Sequence, residues 1–163
     1  MGHHKFYEAI WDLTYTHKGK VLWTKKIHNS LVDLGEKLLL DVFFRSKNIP
    51  TQFYVGFSYC TLQETNGMVH IAGEPSGSGY SRQLVERSSV GFPILTMHEG
   101  DYVVYTKYLT LEASGGNIGP VNNAFFTTEE DNSGILISFM NLASDLIIYD
   151  TDSLTFRIRV KAM

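Results

Sequence analysis

The chain has 163 residues, 44% of them hydrophobic and 13% aromatic, enough for one domain with a substantial core. Fourteen basic against seventeen acidic residues leave a net charge of −3, which is no electrostatic footprint for nucleic acid. A single cysteine, Cys60, excludes an internal disulfide framework and a cysteine-rich zinc site.

Charged residues make up only 19% of the chain, below the usual quarter, which suits a surface partly occupied by neighbours. No stretch approaches transmembrane length, and residues 1–10 lack the apolar run of a signal peptide. The expectation is synthesis in a reducing cytoplasm, without a membrane partner.

In chain order, residues 6–15 and 21–27 predict a hairpin. Trp11, Leu13 and Tyr15 share one face, as do Val21, Trp23 and Ile27. A loop over Lys18-Gly19-Lys20 sets Tyr15 opposite Trp23, Trp11 opposite Ile27, Asp12 opposite Lys26 and Thr14 opposite Thr24. A two-residue loop would mix the faces, so an odd-length one is expected. One helix follows near residues 30–45, capped by Asn29 or Ser30, with Asp33 in its first turn. Leu31, Leu34, Leu38, Leu39, Val42 and Phe43 recur at helical spacing. Gly35 costs about 1 kcal/mol there against alanine, and a close approach to a strand would explain it. Asn48 to Pro50 end the helix.

After Pro50 the chain reads as strand and turn. Strands are predicted at 53–59, 80–87, 94–97, 121–128, 135–142 and 146–149, with a short one at Val69-His70-Ile71 inside the long loop 60–79. Residues 101–112 alternate at length, with Val103, Tyr105, Leu109 and Leu111 on one side and Tyr102, Val104, Thr106 and Tyr108 on the other. In the last strand Leu154, Phe156, Ile158 and Val160 point one way; Thr155, Arg157, Arg159 and Lys161 point the other. Many short strands with regular turn signals predict an all-β, mainly antiparallel, jelly-roll-like β-sandwich. It forms a single domain over 1–163, with the hairpin 5–27 and the helix packed on it.

Chemistry-bearing motifs are scarce. The histidines after the N-terminus show no metal-ligand spacing and no HExxH. Glu74, Glu86 and the run Glu129-Glu130-Asp131 are the carboxylates a glycosidase would need to set across a cleft, but the last three read as a solvated turn. Ser76-Gly77-Ser78-Gly79 lacks both the G-x-S-x-G frame and the lysine of a phosphate loop. The reading is therefore non-enzymatic, with no cofactor and no metal. Arg157, Arg159 and Lys161 form a basic, solvent-facing row, read either as a charged edge that blocks aggregation or as a contact for an acidic partner.

The chain also resembles a known group. It runs from an amphipathic hairpin through HNSLVDLGEKLLLDVFF, FYVGFS and GEPSGSGYSRQLV to a Gly-Asn-Ile-Gly-Pro-Val segment and SGILISFMNLASDLIIYDTDSLTFRIRV. In this it resembles small structural proteins of tailed bacteriophages, tail-fibre-like or minor virion proteins. Asn29 and Val32 are similar to that group's helix entry. Glu74, Pro75, Gly79, Tyr80 and Arg82 are similar to its Glu-Pro…Gly-Tyr-x-Arg signature, and Asp152, Leu154 and Phe156 to its final strand. Ile118 stands where the group often has tryptophan. The likeness spans the chain from about residue 20 and brings no catalytic residues with it.

The resemblance implies a virion component, made in the host cytoplasm and attached to capsid, neck or tail. Other virion proteins would be its partners and a homo-oligomer its state, with neither nucleic acid nor membrane bound. The absence of a fibrous shaft favours capsid or collar decoration. The alternative is a carbohydrate- or receptor-binding module of a tail fibre, acting through loops 60–79 and 113–120. The signature also has a physical reading: Pro75 and the glycines make a tight turn, and Glu74 can reach Arg82, so that Glu74, Tyr80 and Arg82 lock the long loop to the sheet.

Overall fold

The computed structural model describes residues 7–162. Residues 5 and 6 of the expected hairpin lie outside them. Ten strands and one helix follow in order: β1 (Tyr7–His17), β2 (Lys20–Ser30), α1 (Asp33–Arg45), β3 (Gln52–Ser58), β4 (Gln83–Glu86), β5 (Ile94–His98), β6 (Asp101–Tyr105), β7 (Leu109–Glu112), β8 (Ile118–Thr127), β9 (Leu136–Ile148) and β10 (Ser153–Ala162). One sheet runs β2-β1-β10-β6-β5, with β7 also paired to β10; the other runs β4-β3-β8-β9. All pairings are antiparallel. The expected antiparallel sandwich with one helix is the observed architecture. Consecutive strands pair as hairpins within a sheet at β1–β2, β5–β6 and β8–β9, so these strand orders do not carry the finer jelly-roll designation.

The β1–β2 register is the expected one: Tyr15 lies opposite Trp23, Trp11 opposite Ile27, Asp12 opposite Lys26 and Thr14 opposite Thr24. The loop is nevertheless two residues long. Lys18 and Gly19 take the left-handed conformation that two-residue hairpin turns favour. The odd residue that the faces require is absorbed inside β2, where Thr16 pairs with Val21 and Leu22 bulges out.

Between the sheets, Trp11, Leu13, Leu154, Phe156 and Ile158 from one side meet Val55, Phe57, Ala124 and Met140 from the other, all buried. Phe57 and Phe156 meet edge to face, with ring centroids 5.2 Å apart. A second apolar cluster of Val32, Leu62, Met68, Ile71, Phe125, Leu136 and Phe139 joins the loop after β3 to the second sheet. Thus the long loop packs as a lid on that sheet. Its centre, Met68–His70, is a 3₁₀ turn rather than the expected strand, because the His70 N–H bonds the Gly67 carbonyl within the turn.

Four further expectations are corrected. The helix begins at Asp33, not 30. Its N-cap is Val32, without a side-chain cap, and the Asp33 N–H is met by the Glu64 carbonyl of the lid. Its buried stripe is Gly35, Leu38 and Asp41, whereas Leu34 is exposed and Phe43 is 82% exposed. The stretch 135–149 is one strand, β9, whose register against β8 slips between Asn141 and Leu146. Residues 101–112 form two strands on opposite schedules. Tyr105 pairs with Arg159 but Leu109 with Phe156, so one extra residue intervenes. The Thr106 hydroxyl accepts the Ile158 N–H at this bulge. Val103 and Tyr105 therefore share the outer face with Lys161 and Arg159, while Leu109 and Leu111 face inward with Phe156 and Leu154.

Gly35 is the close approach that its position suggested. A Cβ there would stand 2.3 Å from the Ile137 carbonyl oxygen of β9, so α1 lies directly on that strand.

Candidate functional surfaces

The signature residues converge. Tyr80 and Arg82 precede β4 rather than lying on a strand face as expected, yet both reach Glu74. Gly77, Ser78 and Gly79 all have positive φ, and a Cβ on Gly79 would stand 2.9 Å from the Glu112 carbonyl oxygen. The turn, closed by the Tyr80 N–H on the Gly77 carbonyl, folds the chain back on itself. Arg82 Nε and Nη2 donate to the two Glu74 oxygens at 2.8 and 2.7 Å. Nη2 also donates to Asn132 Oδ1, and Nη1 to the carbonyls of Asp131 (2.6 Å) and Glu129 (3.3 Å). All five guanidinium donors are thereby used. The side chain is 5% exposed and lies 4.9 Å from the Phe125 ring centroid.

The Tyr80 hydroxyl donates to Glu74 Oε1 and accepts the Phe57 N–H of β3 at 2.9 Å. Burial, with the Glu74 charge beside it, pushes the Tyr80 hydroxyl well above its ordinary value. Burial alone would lower Arg82; the Glu74 carboxylate outweighs it. Pro75 completes a shallow depression with Glu74, Tyr80, Arg82 and the turn 130–132. The three residues tie the lid, β3 and the β8–β9 turn together. Sequence reasoning missed that third partner, which lies 47 to 50 residues away.

The basic row is corrected. Its side chains do share the outer face of β10, but they do not face free solvent. Arg157 Nε pairs with Asp12 at 3.2 Å and its guanidinium stacks on Tyr105 and Tyr108 at 4.5 and 4.8 Å. Arg159 is 7% exposed and donates to the Tyr105 hydroxyl. Lys161 pairs with Asp101 at 2.9 Å, which raises its pKa. Asp12 and Asp101 lie on strands flanking β10 and bring opposite charge to the same face.

A cleft beside the β1–β2 turn holds Tyr15, His17, Trp23, Pro120, Tyr149 and Asp152. The Asp152 carboxylate, 1% exposed, accepts from the Tyr15 hydroxyl at 2.7 Å and from His17 Nδ1 at 2.7 and 2.8 Å. Burial pushes this carboxyl up, but the bonds from His17 and Tyr15 outweigh it and hold the pKa below 3.8. Its stabilisation is therefore full above that value and is lost as pH falls through the lowered one. Thermal unfolding followed across the acid limb should show this loss, and Asp152→Asn should flatten the limb. Burial and Asp152 together raise the Tyr15 hydroxyl from 10.0 to about 12. That contribution is present below pH 10 and lost as pH rises through about 12. In a spectrophotometric tyrosine titration both Tyr15 and Tyr80 should titrate late, and Asp152→Asn should bring forward the Tyr15 step while leaving that of Tyr80 in place.

A third feature is an apolar cavity of about 290 Å³ between α1 and the open side of the sandwich. Leu38, Leu39, Val42 and Phe43 line it from the helix, and Phe92, Val104 and Val160 from the first sheet's side. Among the described residues no three His, Cys, Asp or Glu side chains converge as metal ligands. No family model, no curated protein and no solved structure matches the chain.

Proposed function

We propose that the chain is a non-enzymatic structural subunit of a tailed-bacteriophage virion, present in repeated copies on the capsid or at the neck or tail. The observation that carries this reading is the fate of the signature residues. Glu74, Tyr80 and Arg82, the most distinctive part of the resemblance, spend their polar groups on one another and on neighbouring backbone. They hold a fold together and leave no group poised over a substrate. Exposed Leu40, Phe43 and Phe44 on α1 add apolar surface of the kind that neighbours in a particle cover. A jelly-roll-like lineage belongs to the same proposal; adjacent first and last strands, β1 and β10, support it, and the within-sheet hairpins depart from it. Immunogold labelling of purified particles tests the reading and distinguishes capsid from tail. Regular label at one position is expected, and unlabelled particles that carry every other structural protein would overturn it.

The second reading, a glycan-binding module, draws on the cleft at Tyr15, Trp23 and Tyr149. Trp23 is a poor sugar platform, because Tyr15 stacks on its ring at 5.5 Å and Lys25 Nζ sits 4.8 Å from the ring centroid. A glycan array should therefore give no signal, and a specific sugar displaced by Tyr149→Ala would favour the second reading.

A further inference from the structure

Among the described residues the two sheets expose five edges, and four are managed: β7, which pairs only with β10, is four residues long. β2 carries Lys20, Lys25 and Lys26. β4 is four residues long. β9 is covered along its first half, where Leu31 bridges to Ser138 and the Val32 N–H bonds the Ile137 carbonyl. The fifth edge, β5, reads Ile-Leu-Thr-Met-His, carries no lysine, and has Ile94, Leu95, Thr96 and Met97 all exposed.

We propose that β5 pairs with β5 of a second copy of this chain, antiparallel about a two-fold axis at Thr96. The proposal deepens the repeated-subunit reading and rests on it. The β5–β6 connection is the two-residue turn Glu99-Gly100, with both residues at positive φ, so His98 and Asp101 form its hydrogen-bonded closing pair. Alternation then turns the backbone groups of Ile94, Thr96 and His98 toward β6, and those of Leu95 and Met97 toward the free edge. With the axis at Thr96, Leu95 of each copy faces Met97 of the other. Each such pair exchanges two N–H···O bonds, four in all. Thr96 faces its own copy as a non-hydrogen-bonded pair, and threonine pairs are favoured there.

The side chains fit the same occupant. Leu95 and Met97 stand beside Val104 and Tyr102, on the inner side of the sheet where it overhangs the apolar cavity. Leu95 is 73% exposed. In the dimer each Leu95 meets a Met97, continuing the apolar surface across the axis. Residue 99 of one copy falls beside Pro93 of the other. Pro93, which lacks an N–H, ends the pairing at that point. A stable dimer needs roughly 800 Å² from each partner, more than five edge residues supply; exposed Tyr102 beside the edge and Phe43 across the cavity provide further apolar area.

The test is the solution mass of the full chain by light scattering over a concentration series, with two variants. The wild type should approach twice the monomer mass. Leu95→Lys, which puts a cation at the junction, should return it to the monomer, while Leu22→Lys on the β2 bulge should leave the dimer intact. Thr96→Cys should form a disulfide-linked dimer under mild oxidation, because Cα atoms of such a pair lie about 4.5 Å apart, within disulfide reach. A wild type that stays monomeric, or a dimer that Leu95→Lys does not disturb, overturns the proposal. Particles that contain the chain while the purified protein fails this test would remove the β5 pairing and leave the virion reading standing. A β5 dimer absent from particles would do the reverse.

Discussion

Replacing Arg82 with alanine should lower the unfolding midpoint by roughly 10 °C, the largest effect expected from any polar side chain here. Removing one partner of a buried, hydrogen-bonded ion pair costs about 3–5 kcal/mol, because the other charge is left stranded. Here the loss would strand the Glu74 carboxylate, which keeps the Tyr80 hydroxyl but no countercharge, and leave the carbonyls of Glu129 and Asp131 without their donor. Glu74 keeps partial access to water, which places the figure near the lower end of that range. Arg82→Lys should recover little, since a lysine cannot span a bidentate carboxylate and two carbonyls at once. Tyr80→Phe should cost about 1 kcal/mol, one hydroxyl's worth of bonding. Circular dichroism melts of the three variants check the order. An Arg82→Ala midpoint equal to that of the wild type would remove the lock from the account.

Gly35→Ala should destabilise the protein by a net ~2 kcal/mol, although alanine is the better helix former. Intrinsic propensity favours the substitution by about 1 kcal/mol. Against that, the new methyl would lie 2.3 Å from the Ile137 carbonyl oxygen and 2.9 Å from its Cα, a collision with backbone that no rotamer change relieves. The helix must lift off β9, which loosens Leu38 in the core and widens the apolar cavity beneath it. Denaturant unfolding gives the sign directly, and stronger binding of an apolar dye by the folded variant would report the opened cavity. A stabilised Gly35→Ala would mean that α1 does not rest on β9 at this contact.

Some of this structure was legible in the sequence because two faces of one strand differ sharply. The register of β1 on β2 followed from keeping Trp11, Leu13 and Tyr15 on one side and Asp12 and Thr14 on the other. The inward set of β10 was equally plain. What escaped was decided by partners distant in sequence. The helix start shifted because its first N–H groups are met by Glu64 and Ile137 backbone rather than by a capping side chain, and no local motif encodes that. Residues 101–112 alternate without interruption, so nothing in the pattern announced that Thr106 would use its hydroxyl to open a bulge and turn Leu109 and Leu111 to the opposite face.

The candidate sites divide in the same way. The Glu74–Arg82 pair could be read from a tight Gly/Ser/Pro turn that brings opposite charges together within eight residues. The fate of Arg157, Arg159 and Lys161 could not. Their side of the strand was correct, but Asp12, Asp101 and Tyr105 reach them only through the sheet order β1-β10-β6. The buried Asp152 with Tyr15 and His17 joins positions 135 and more residues apart and left no local trace.

Whether the chain is a repeated part of a virion is settled most directly by its copy number in purified particles, measured by quantitative mass spectrometry against the major capsid protein. The account predicts many copies per particle, in a ratio that matches a symmetric ring or lattice. Particles in which the chain is absent, or present only as a variable trace, would contradict it.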